Sequence, residues 1–182
     1  YTLGLGDRRP TTADFFRAVA LALRRPIVDA RGATEARLRR ADAKCVYFLS
    51  SEFLLGRLLE NNLMSLGLRE QVRDAVSSLG GNLESILEAE PDPALGSGGT
   101  GRMAACFLES LATLGLPAFG YGVRYDYGLF RQRLWNGHQR ETPDDWLADG
   151  SPWLLTPPAD DVVVPLYGRL VEDGRGPGAT WT

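Results

Sequence analysis

The chain has 182 residues, 44% of them hydrophobic, and its 20 basic and 23 acidic residues leave a net charge of −3. This content supports a buried core and excludes disorder, and with no basic stripe there is no reason to expect nucleic acid. No apolar run approaches a membrane span, the N-terminus lacks a secretory pattern, and two cysteines with one histidine and no Cys-x-x-Cys leave no metal site.

Residues 1–10 read as a flexible arm. Thr11 or Thr12 caps a helix that carries Phe15, Val19 and Leu23 on one face and that Pro26 is expected to stop after Arg25. A second, charged helix is expected from Thr34 to Ala43. Cys45–Leu49 is a short apolar run of strand formers, read as a strand buried on both faces in a parallel sheet. Ser50 or Ser51 then caps a helix expected from Glu52 to Leu66, ended by Gly67. Two amphipathic helices follow over 69–79 and 82–90, separated by Gly80-Gly81, with Asn82 as the second cap.

Residues 95–109 contain the most informative run. Four glycines (Gly96, Gly98, Gly99 and Gly101) fall within six residues, and a helical apolar pattern of Met103, Phe107, Leu111 and Leu114 follows. A glycine turn feeding a helix leaves backbone N–H groups unpaired at the positive end of the helix dipole, which suits a phosphate. The run also satisfies G-x-G-x-x-G, but a dinucleotide site needs a buried strand before the first glycine. Here Glu90-Pro91-Asp92-Pro93-Ala94 stands in that place and cannot form a central strand. The alternative to an anion site is a turn that only lets a helix pack closely. Arg102, a cation in the first helical turn, needs an anion nearby, either a ligand phosphate or a carboxylate of the protein.

After Gly115 and Pro117, residues 118–127 and 129–135 read as strands, and Asn136-Gly137 as a two-residue hairpin turn. Thr142-Pro143-Asp144-Asp145 matches a helix start. Val162–Val164 begins another strand, turned at Glu172-Asp173-Gly174, and Gly176 to Thr182 reads as an interrupted connection. The element order argues for an α/β architecture with a partly parallel, mixed sheet that needs more strands than these residues supply.

Four blocks carry a resemblance: Lys44–Arg57, Leu95–Leu116, Gly120–Gln132, and Asp144–Leu147 with Gly150–Trp153. In this order they closely resemble the N-terminal part of the glycogen (α-glucan) phosphorylases, bacterial type, from about residue 11 to about residue 170. The resemblance implies a partial Rossmann-like N-terminal lobe of a two-lobed GT-B glycosyltransferase fold, with residues 11–182 an incomplete N-terminal domain. It implies a cytoplasmic, dimeric parent that uses pyridoxal phosphate and inorganic phosphate to split α-1,4-glucan chains into glucose 1-phosphate. It places Ser97, Gly98, Gly99, Thr100 and Glu52 at the phosphate and substrate, and Leu54, Gly99 and Arg102 near the cofactor.

The chain departs from the family pattern at several of these positions. Ser97 stands where Asn is usual, Thr100 where Leu is usual, Leu54 where some members carry Tyr, and His138 where Trp is common. Pro93-Ala94 replaces two small residues and stiffens the approach to the loop. Arginine supplies 19 of the 20 basic residues, and Lys44, the only lysine, matches a family position other than the cofactor lysine. The resemblance therefore puts that lysine outside this chain, along with the catalytic residues, and implies a segment inactive by itself. The chain lacks an initiating Met, as expected of a chain that is processed, tagged or cut from something longer. Two other readings stand beside this one: a stand-alone phosphate- or nucleotide-binding module, and a non-catalytic dimerisation piece.

Several residues carry a plain reading next to a functional one. Glu52 either faces a cleft or serves as a first-turn acid of its own helix. Asp144 and Asp145 suit acid–base chemistry, but the capping box explains them more simply. Gly56 inside a helix suggests close approach of another backbone. Arg57 and Arg124 suit a phosphate or a surface ion pair. Tyr121, Tyr125, Tyr127 and Phe130 read as core, and Cys45 and Cys106 as small buried residues.

Overall fold

The computed structural model describes residues 8–155, Gly168, and the backbone of residues 170–172 and 179–181. Residues 1–7 of the expected arm, the strand start at Val162–Val164 and the turn at Asp173-Gly174 lie outside the described residues.

Helix α1 spans Thr12–Arg40. Thr11 caps it in a reciprocal capping box: the Asp14 N–H donates to Thr11 Oγ1 at 3.2 Å and the Thr11 N–H to Asp14 Oδ2 at 2.8 Å. Pro26 does not stop this helix. A proline interrupts the hydrogen-bond ladder at its own missing N–H. Here Leu23 before it is buried and Ile27 after it packs on the same core, so tertiary contacts on both flanks carry the helix through. The separate helix expected from Thr34 is the C-terminal end of α1.

Strand β1 (Val46–Leu49) is shorter than expected by one residue, and the expected helix from Glu52 begins only at α2 (Leu59–Ser65). Residues 52–58 are irregular, with Gly56 left-handed at φ +75° and open space around any added Cβ. Gly56 is thus required by its backbone angle rather than by a close neighbour. Helices α3 (Arg69–Ser78) and α4 (Leu83–Glu88) follow as predicted, with the Asn82 side chain accepting the Ser85 N–H at 2.8 Å. Helices α1 to α4 enclose the main core of Phe16, Ala20, Leu23, Leu59, Leu63, Val76, Leu83 and Ile86.

Helix α5 (Gly99–Thr113) leaves the glycine loop, and β2 (Ala118–Tyr121) returns parallel to β1. The parallel pairing agrees with the sequence, but burial does not: Tyr47, Leu49, Phe119 and Tyr121 are exposed. A ladder of two strands has no neighbours to cover it. Likewise α5 buries its small face, Gly101, Ala104 and Ala105, while Met103, Phe107 and Leu114 are exposed. Close helix packing over residues 52–54 selects the small side chains. Cys45 and Cys106 are only half-buried.

Strands β3 (Gly128–Trp135) and β4 (His138–Asp144) form an antiparallel hairpin around Asn136-Gly137, both at positive φ. The helix expected at Thr142 is absent: Thr142 pairs with Arg131, its hydroxyl donates to the Arg131 carbonyl, and Asp144 closes the ladder opposite Gly128. Pro143 sits at the ladder's irregularity, where a missing N–H is tolerated. Strands β5 (Leu170–Glu172) and β6 (Ala179–Trp181) pair antiparallel, so Ala179–Trp181 is strand rather than connection. Among the described residues the α/β fold has three two-stranded ladders in place of one mixed sheet.

Candidate functional site

Gly98 is the N-cap of α5, with extended backbone and no side chain to accept an N–H. The acceptor comes from far along the chain. Glu52 Oε2 receives the Ser97 N–H at 3.3 Å and the Gly98 N–H at 3.2 Å. An acid near a helix N-terminus contributes about 0.3–1 kcal/mol. Glu52 is therefore not a first-turn acid of its own helix; it complements a different one.

Residues 53 and 54 are laced to the loop on either side. The Phe53 N–H donates to the Leu95 carbonyl at 2.8 Å, and the Leu54 N–H to the Gly101 carbonyl at 3.0 Å. This close approach explains two glycines. A Cβ on Gly96 would lie 2.9 Å from the Leu54 nitrogen, and one on Gly101 3.0 Å from the Glu52 Cβ. Gly99 has open space around it. The N–H groups of Gly99, Thr100 and Gly101, orphans of the first helical turn, meet no acceptor among the described residues. Ser97, Gly98, Gly99 and Thr100 are exposed.

Arg102 donates to the Leu54 carbonyl at 3.2 Å, and its guanidinium lies 3.7 Å from the Glu109 carboxylate. Its anion is the protein's own. Arg57 and Arg124 pair with Asp92 and Asp126 at 3.8 and 3.9 Å on the surface. Asp144 accepts from Arg131 at 3.0 Å and, as the last residue of β4, is not a helix cap.

An open cleft of about 580 Å³ runs beside the loop. Of the predicted site residues, Glu52, Leu54 and Ser97 line it, whereas Gly98, Gly99, Thr100 and Arg102 are not among its walls. The cleft is also lined by Leu129 and by Tyr125, Tyr127 and Phe130, three residues that the sequence suggested as core. The Tyr125 hydroxyl donates to the Ser51 carbonyl at 3.0 Å and ties this part of the lining to the start of the Glu52 segment. Tyr121, exposed on β2, belongs to neither core nor cleft.

The sequence reading missed Glu90, the one buried charged side chain among the described residues. A signal existed. Glu90 follows the C-terminus of α4, where an anion is electrostatically misplaced, and the argument applied to Arg102 applies equally here.

The carbohydrate phosphorylase family model matches residues 76–181, more than half of the chain. The chain belongs to the carbohydrate phosphorylase family. It is 42% identical to a glycogen phosphorylase of Haemophilus influenzae over 175 residues, covering 96% of this chain and 21% of that protein. A glycogen phosphorylase of Chlamydia pneumoniae is 46% identical over 165 residues, 90% of this chain and 20% of that protein. The brain form from Bos taurus is 44% identical over 176 residues, 97% of this chain and 21% of that protein. This phosphorylase chain thus corresponds to an N-terminal portion, about one fifth of the length of the curated relatives it matches. No helix among its described residues is long and apolar enough to cross a membrane.

Proposed function

We propose that this chain is an N-terminal portion of an α-1,4-glucan phosphorylase, part of the first lobe of a two-lobed GT-B enzyme that uses inorganic phosphate to release glucose 1-phosphate from glycogen or maltodextrin. The observation that carries the reading is the glycine loop. Three first-turn N–H groups, at Gly99, Thr100 and Gly101, meet no acceptor among the described residues; Gly99 and Thr100 are exposed, and the loop leading into them lines an open cleft at Gly96 and Ser97. The reading rests equally on the glycogen phosphorylases to which the chain is similar.

The residues present fit the phosphate end of pyridoxal phosphate or of a substrate, because unpaired amides at a helix N-terminus stabilise an oxyanion. They do not supply the cofactor's amine partner: Lys44, the only lysine, is exposed at the foot of β1. When bound in the parent, pyridoxal phosphate supplies a phosphate group for proton relay. Gly99 and Thr100 bind and orient an anion. Ser97 and Gly98 are already engaged by Glu52, and a second anion on those two amides would meet the carboxylate's repulsion. Glu52 and Leu54 instead shape the cleft wall, with Arg102 held against Leu54 behind the loop. The parent acts in the cytoplasm as a homodimer.

The exposed aromatic face of β1 and β2 speaks against a stand-alone phosphate- or nucleotide-binding module, since a self-sufficient domain covers such a sheet. The test is to express the complete reading frame with pyridoxal phosphate and measure glucose 1-phosphate released from glycogen in inorganic phosphate. Phosphate-dependent release supports the reading. A folded, cofactor-supplied protein without it refutes the reading.

A further inference from the structure

Two segments that line the cleft lead into α2 and α5, and each carries a glutamate that caps the other segment's helix. Glu52, ahead of α2, receives the Ser97 and Gly98 N–H groups at the start of α5. Glu90, ahead of α5, receives the N–H groups at the start of α2: Leu58 on Oε1 at 3.1 Å and Leu59 on Oε2 at 2.9 Å. The N-cap of α2, Leu58, has no side chain able to do this. The indole N–H of Trp153 adds a third bond to Glu90 Oε1 at 2.8 Å. Glu90 is 2% exposed, and three N–H donors converge on its two oxygens. A buried carboxylate is tolerated because those donors replace its hydration.

The two caps are mechanically joined. Between them, Phe53 and Leu54 are bonded to Leu95 and Gly101, so residues 52–58 form a strap with one end at the glycine loop and the other at Glu90. We propose that Glu90 is a positioning residue for the glycine loop: by holding Leu58, Leu59 and Trp153 it fixes the far end of the strap, and so sets where Glu52 meets Ser97 and Gly98. The functional side of this proposal rests on the reading of the loop as an anion-binding element; the structural side does not.

Glu90→Gln is the informative variant. It keeps the shape but offers one acceptor oxygen to three donors, and its amide group faces an N–H. Hydrogen exchange on the chain within its complete reading frame reads the effect. The expected result is a rise of about tenfold or more in exchange at Ser97 and Gly98, as well as at Leu58 and Leu59, with the Val76 and Ile86 amides of the core unchanged. Glu90→Asp, which keeps both oxygens, restores part of the protection. Unchanged Ser97 and Gly98 with exposed Leu58 and Leu59 would reduce Glu90 to a local cap and overturn the proposal, as would a uniform rise at every amide. Should Glu90→Gln not fold, Trp153→Phe removes one donor and keeps the carboxylate; a smaller rise at Ser97 and Gly98 supports the proposal and none overturns it.

If the parent is a phosphorylase, Glu90→Gln raises the KM for inorganic phosphate more than it lowers kcat, a split that simple loss of folded protein does not produce. An unchanged KM beside loosened loop amides would overturn the functional side. A wild-type parent with no phosphorolysis would remove the functional reading, while the exchange data still decide the role of Glu90.

Discussion

Replacing Gly96 by Ala, and separately Gly99 by Ala, perturbs one loop in opposite directions. At Gly96 an added Cβ meets the Leu54 nitrogen at 2.9 Å, the Phe53 carbonyl carbon at 3.0 Å and the Phe53 nitrogen at 3.1 Å. All three are backbone atoms, and the strap they belong to is bonded to Leu95 and Gly101, so nothing can swing aside. Overpacking of this kind costs about 1–3 kcal/mol. Loss of glycine's freedom in the unfolded chain returns about 0.4–1 kcal/mol, leaving roughly 1–2 kcal/mol of net destabilisation. At Gly99, the first residue of α5, an added Cβ meets nothing within 4 Å. There the helix gains up to about 1 kcal/mol from alanine. Urea unfolding at low protein concentration measures both. With a slope near about 2 kcal/mol per molar, Gly96→Ala lowers the midpoint by about 0.5–1 M and Gly99→Ala leaves it level or raises it by up to about 0.5 M. A midpoint for Gly96→Ala at or above wild type would refute the close strap-to-loop contact. A fall for Gly99→Ala as large as that for Gly96→Ala would refute the open space at the helix start.

Three further outcomes are expected. Hydrogen bonds from the Thr11 side chain and backbone, and then the Arg8 guanidinium, hold the Asp14 carboxyl below its ordinary value of 3.8. A depressed folded value gives a stabilisation that is present above the ordinary value and lost as pH falls through the folded one. The stability difference between wild type and Asp14→Asn is therefore level above about pH 5 and shrinks in acid, as urea midpoints against pH will show; a difference growing in acid contradicts the capping box. Pro26→Ala restores a ladder hydrogen bond inside α1 and raises stability by about 1–2 kcal/mol, read from the same midpoints, and a decrease would mean the proline ring itself packs productively. The 182-residue chain expressed alone self-associates through Tyr47, Leu49, Phe119 and Tyr121, and sedimentation as a clean monomer with sharp unfolding at high temperature would contradict this.

The local features were legible in the residues themselves. Thr11 and Asn82 cap helices because their side-chain oxygens reach an N–H three residues on. Asn136-Gly137 turns a hairpin because both adopt positive φ, and the glycine run opens α5 because the chain there needs no side chain of its own. These preferences act within one turn, and the family resemblance also lies in the linear order of its blocks. Tertiary structure decided what depends on distant partners. Pro26 passes through a helix because Leu23 and Ile27 share a core, and Thr142 to Asp144 become strand because β3 lies alongside. Glu52 turns from its own expected helix to cap another, and Glu90 is buried among N–H donors from α2 and Trp153. A charge placed against its own helix dipole marks the need for a partner, but only the folded chain brings that partner within hydrogen-bond reach.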